Sequence, residues 1–175
     1  MFWRMSRVWP AVPIPPDPLP GWRRPAAVAH ARLLVESLWR LTGREIADRR
    51  LDDGALAAAL WEMPEPLVAH GTEADPVFCH ANRAALDLWE MDWDGFTRLP
   101  SRRSAEADGA IQSDRSALLA RAMERGWVGD YAGLRISASG RRFRIAQTVL
   151  WTVTDARGQR HGQAALIGRV ERLPR

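Results

Sequence analysis

Four histidines, a single cysteine and a scatter of carboxylates are the groups in this chain that could do chemistry, and their spacing decides what they can do. His70, Glu73, Asp75 and His80 lie close together and offer donor types that hold divalent metals. A strand through residues 77–80 would place His80 on the face opposite Cys79, and no ligand pair shows the i, i+4 spacing of a helical metal site. Turn chemistry accounts better for Thr72-Glu73-Ala74-Asp75-Pro76, so no metal site is expected. Nothing in the setting of His30 or His161 supports haem. With Cys79 alone, no internal disulfide and no four-cysteine zinc site can form. All 25 basic residues are arginine, which excludes lysine Schiff bases and a phosphate-loop lysine. No nucleophile elbow, glycine-rich phosphate loop or paired-histidine helix is present. The chain therefore reads as a non-enzyme. The enzymatic alternative is a small α+β pocket using Asp87, His80 or His70 as general base.

Residues that could bind without reacting are more numerous. Alternation through residues 141–155 puts Phe143, Ile145, Val149, Trp151 and Val153 on one face of a strand, with Arg142, Arg144, Thr148 and Thr152 on the other. Gln147 then falls in the middle of the apolar face, where an amide must find a partner or cost about 1–3 kcal/mol. Gln147 is accordingly a candidate ligand contact, with Ile145, Val149 and Trp151 beside it. Trp89 and Leu118, on two helices, and Asn82, at a strand-to-helix corner, complete the expected pocket. Trp89 and Trp151 are the expected pair across the cavity, since aromatic faces can sandwich a planar ligand. Arg102, next to Arg103 in a polar loop, could hold an anionic group. Arg135, Arg141, Arg142 and Arg144 read as a second basic cluster, with Arg142 and Arg144 on an outer face that suits docking or dimerisation as well as it suits plain solvation or pairing with acids.

The elements that must position these residues change along the chain. Residues 1–24 hold six of the twelve prolines, which is too many breakers for a regular period, so they read as a disordered or extended arm. Residues 25–63 read as a helical lead-in. One helix over 25–42 carries Val28, Ala31, Val35, Leu38 and Leu41 on a stripe, and a second over 53–62 ends before Pro64. Residues 64–170 change in kind. Two short strands (66–71 and 77–80) come first, then a helix capped by Asn82. A loop over 92–110 leads to a helix capped by Ser113 or Asp114, with Leu118, Leu119, Ala122 and Met123 facing inward. Three strands over 128–137, 141–155 and 159–169 close the chain. The order predicts an α+β fold: a five-stranded antiparallel sheet with helices on one face, preceded by two N-terminal helices. That is the element order of a Per-Arnt-Sim (PAS) domain.

Particular segments carry a closer resemblance. HGTEADPVF, NRAALDLWEMDW and FTRLPSRRSAE within residues 70–106, YAGLRISASGRRFRI over 131–145, residues 158–165 and the LTGRE stretch at 41–45 are similar to the MEKHLA family, a PAS-related group. The resemblance spans about residues 28–169. The family occurs as stand-alone bacterial proteins and as the C-terminal module of plant homeodomain-leucine-zipper factors. It implies a PAS-like sensory or regulatory domain and brings no characteristic cofactor. Light-sensing PAS domains bond a flavin through a helix-borne cysteine in an Asn-Cys-Arg-type motif. Cys79 lacks that context and reads as a small buried hydrophobe.

The expected function is a sensory module that binds a small, largely apolar ligand and signals through a protein partner or a homodimer. The cofactor is unknown. No apolar run is long enough to span a bilayer, and no secretory signal is visible. The expected location is the cytoplasm, with no membrane partner. A net charge of +4, with acids nearly balancing arginines and no base-reading motif, argues against a nucleic-acid partner.

Overall fold

The computed structural model describes residues 19–105 and 109–174, and the side chains of residues 109–115 and 118 lie outside that description. Most of the proline-rich arm, residues 1–18, therefore falls outside the described residues. Its last part does not hang loose. Gly21–Arg23 winds a short turn, Trp22 stacks on Trp61 at 5.2 Å, and the Trp93 ring sits where a Gly21 side chain would be.

Helix α1 (Pro25–Thr42) starts with proline at its first position, where no N–H is needed, and ends at Gly43 in the left-handed conformation. Helix α2 (Asp53–Glu62) is capped by the Asp52 side chain on Ala55 N. Strands β1 (Leu67–His70) and β2 (Phe78–Ala81) form a hairpin, and α3 (Arg83–Trp89) follows β2 directly. After α4 (Trp93–Phe96) and α5 (Gly109–Arg125), the long strands β3 (Trp127–Ile136), β4 (Arg142–Thr154) and β5 (Arg160–Arg172) form a meander. Helix α5 begins at Gly109, ahead of the Ser113 or Asp114 start that the sequence suggests.

The sheet order is β2-β1-β5-β4-β3, antiparallel throughout. This is the expected five-stranded α+β architecture. Both sheet faces are covered. On one, Val68, Ile145, Leu150 and Ile167 pack with Trp89 and Phe96 beneath α3, α4 and α5. On the other, Trp151, Val153 and Leu166 pack against Leu34, Val35 and Leu38 of α1 and Leu56 and Leu60 of α2. Each of those α1 side chains is fully buried and contributes about 1.5–3 kcal/mol of burial. The lead-in helices thus close the second face of the sheet, and the apolar stripe of α1 is spent on the sheet instead of on a second copy.

One irregularity in β4 governs the interior. Against β3, Ile145 faces Gly133 and Thr148 faces Tyr131, so β4 takes three steps where β3 takes two, and Gln147 takes a φ of 50°. This bulge turns the strand over. Phe143 and Ile145 face α3 before it, and Thr148, Leu150 and Thr152 face that way after it. Val149, Trp151 and Val153 face α1.

Candidate functional site

The concave sheet face, the end of α3 and Leu119 of α5 border a partly open cavity of about 50 Å³. Val68, Ala69 and His70 of β1, Gln163 to Ala165 and Ile167 of β5, and Ile145 and Leu150 of β4 form its floor. Tyr131 and Arg135 of β3, with Phe78, Trp89, Ser104 and Leu119, form its walls and roof. The lining is mostly apolar and, among the described residues, contains no carboxylate.

Two of the expected contacts, Trp89 and Ile145, line this cavity. The others go elsewhere for identifiable reasons. Gln147 is exposed, because the bulge throws it outward in a left-handed conformation. Val149 and Trp151 lie on the α1 face, where Trp151 Nε1 donates to Ser37 Oγ at 3.1 Å. Trp89 and Trp151 are therefore on opposite sides of the sheet, not across a cavity. Asn82 is fully buried and fully used. Its Oδ1 accepts from Leu67 N and Ala85 N, each at 3.0 Å, and its Nδ2 donates to Met63 O and Glu65 O at 3.2 and 2.8 Å. Arg102 is exposed and pairs with Asp75 at 3.0 Å. The Leu118 side chain lies outside the described residues. Its neighbour Leu119 reaches the cavity, whereas Met123, expected inside, is 52% exposed.

Alternation misplaced the residues after the bulge, and a signal for the bulge was available. Gly168 lies inside β5, and a Cβ there would come within 2.7 Å of Gln147 O, so the glycine admits the distorted strand. The cavity residues that the sequence reading missed are Gln163, His70, Tyr131 and Arg135. Gln163 Nε2 donates to Leu119 O at 3.2 Å, tying β5 to the roof. His70 Nδ1 lies 2.9 Å from Gly71 O. Arg135, which the sequence groups with the basic cluster of the meander, is only 6% exposed.

The reactive groups are quiet. Burial, with the Glu73 charge adding to it, pushes the Cys79 thiol up to about 12. Its Sγ faces Ala69 O and His30 Nε2, with the α1-side cluster. Burial holds His80 down at about 3 and His30 at about 4; their rings lie 5.6 Å apart, outside the cavity. Asp87 is exposed on α3. Of the three bases weighed, only His70 reaches the cavity. Among the described residues no group of three or more His, Cys, Asp or Glu side chains could hold a metal. A flavin does not fit either. Its site would need roughly 300–1,000 Å³, against about 50 Å³ here, and no cysteine faces the cavity. No described helix is long and apolar enough to cross a membrane.

Comparison with known proteins agrees with this geometry. The chain is 30% identical over 146 residues to the homeobox-leucine zipper protein ATHB-9 of Arabidopsis thaliana, covering 78% of this chain and 17% of that protein. With REVOLUTA from the same plant it is 27% identical over 136 residues, 75% of this chain and 16% of that one. The chain thus spans less than a fifth of the length of these relatives. Among solved structures, a PAS domain from Colwellia psychrerythraea superposes with a TM-score of 0.55 at 11% identity, covering 67% of this chain and 92% of that chain. An RNA-binding light-oxygen-voltage receptor gives 0.57 at 14% identity, covering 72% and 36%. The light-state dimer of the fungal photoreceptor Vivid gives 0.54 at 12%, covering 77% and 90%. At such identities these structures speak for the fold alone, which is PAS-like. The MEKHLA domain profile matches residues 28–171, and the chain belongs to the MEKHLA domain family.

Proposed function

We propose that this MEKHLA chain senses a small, largely apolar ligand held in the cavity beneath α3 and α5, without catalysing its conversion, and passes the occupied state on through protein contacts. The observation that carries this reading is the cavity itself: partly enclosed, mostly apolar, and placed where the sheet is in contact with helices on both faces. Residues 64–170 would be the sensing domain and residues 25–63 the relay. A change in β4 or β5 on the cavity face reaches α1 through Trp151 and Leu166 on the other. The recipient is a second copy or a separate protein. The enzymatic alternative rests on His70, beside which no carboxylate or second histidine lines the cavity among the described residues.

The test is a thermal-shift screen of small apolar and amphiphilic molecules against the wild type and Ala165→Leu. Ala165 lines the cavity floor between Val68 and Leu150, so leucine fills the space without disturbing the surface. Compounds that stabilise the wild type and leave Ala165→Leu unmoved are expected. Hits that stabilise both proteins equally would refute the cavity as the binding site.

A further inference from the structure

Arg135 is the group in the cavity that its surroundings explain least. It is 6% exposed and permanently charged, and a buried charge persists only where it is paired or hydrogen-bonded. Its partners are neutral. The guanidinium donates to Leu134 O at 2.7 Å and to Tyr131 Oη at 2.9 Å, and lies 5.5 Å from the centre of the Tyr131 ring. Among the described residues no carboxylate comes within 4.0 Å of it. A guanidinium has five N–H donors, and these contacts use one on each terminal nitrogen, both on neutral acceptors.

An unanswered donor borders the same cavity. Trp89 Nε1 is buried with no hydrogen-bond partner, although buried indole N–H groups ordinarily find one. The two residues meet at Phe143. Arg135 is its cross-strand partner, and the Trp89 ring packs edge-on against it at 5.2 Å. The end of α3 is fastened there, with Ala138 N donating to Trp89 O at 3.0 Å. Gly133 makes room for the arrangement, since a Cβ at that position would lie 2.6 Å from Tyr131 Oη and 3.0 Å from an Arg135 nitrogen.

An unpaired buried indole N–H, a buried cation with neutral partners and, among the described residues, no lining acid describe one class of occupant. We propose that the ligand is a small organic carboxylate. Its anionic head would be held by Arg135 and the Trp89 N–H, and its short apolar tail would lie against Ile145, Leu150 and Ile167. This assignment rests on the cavity reading above and narrows it. The forked guanidinium suits a carboxylate's two oxygens, and a cavity of about 50 Å³ limits the tail to a few carbons.

Calorimetric titration of the full chain with isobutyrate, isobutyramide and sodium nitrate separates the possibilities, using the wild type, Arg135→Gln, Tyr131→Phe and Ala165→Leu. Isobutyrate is expected to bind the wild type at least tenfold tighter than the matched amide, with nitrate weaker still. Arg135→Gln should erase the preference. Tyr131→Phe keeps the ring but releases the guanidinium, and should weaken isobutyrate several-fold in a protein whose thermal unfolding stays cooperative. Equal binding of acid and amide, lost in Ala165→Leu, would overturn the carboxylate assignment and leave the cavity reading standing. Equal binding of nitrate and isobutyrate would overturn it as well, since the apolar wall would then contribute nothing. Failure of all three to bind the wild type would overturn both.

Discussion

Asn82 answers four backbone groups at once, on the strand before it, the helix after it and the link from α2. The sequence marks it as a helix cap and a strand-to-helix corner; all four of its hydrogen bonds are made within the chain, and it lies outside the cavity lining. Asn82→Ala would strand buried donors and acceptors and remove a cap, costing about 2–4 kcal/mol by urea unfolding. Asn82→Asp, which keeps the acceptor, should cost less. Gln147 is the opposite case. It sits exposed with a φ of 50°, a conformation that strains a residue with a Cβ. Gln147→Gly should be neutral or stabilise by up to about 1 kcal/mol and leave ligand affinity unchanged. A loss of affinity would show that the amide reaches the cavity after all.

At the scale of elements, helices α1 and α2 and the order of the strands were legible because period, caps and turn residues agree there. The facing of β4 was not, because a two-residue period counted across a bulge assigns every later side chain to the wrong side. Arg135 was hidden for a related reason. Arginine in a strand reads as surface, and only its register with Tyr131 across Gly133 shows that it shares the inward face. The lead-in helices hold the second face, and this can be measured. Leu34→Ala, at a fully buried α1 position, should cost about 2–5 kcal/mol. Trp39→Ala on the same helix, 40% exposed, should cost markedly less. Equal costs would mean that α1 is not packed as described.

For the whole molecule, two neutral histidines, His80 buried and His30 half-buried, tie stability to pH. His80 is held at about 3 and His30 at about 4, against 6.5 for each in the unfolded chain. Below 6.5 the unfolded state takes up protons that the folded state refuses. Stability is therefore complete above pH 6.5 and declines as pH falls toward 4 for His30 and toward 3 for His80. The slope approaches about 1.4 kcal/mol per pH unit for each histidine. Urea midpoints measured from pH 7 to pH 4 should fall accordingly, and the His30→Gln, His80→Gln double variant should flatten the decline.

Native mass spectrometry of freshly purified protein, with its absorption spectrum, tests most directly whether the cavity holds a small molecule. The wild type is expected to carry a small, colourless adduct that Ala165→Leu lacks. Wild type and variant both at the bare chain mass, or a flavin spectrum in the wild type, would contradict it.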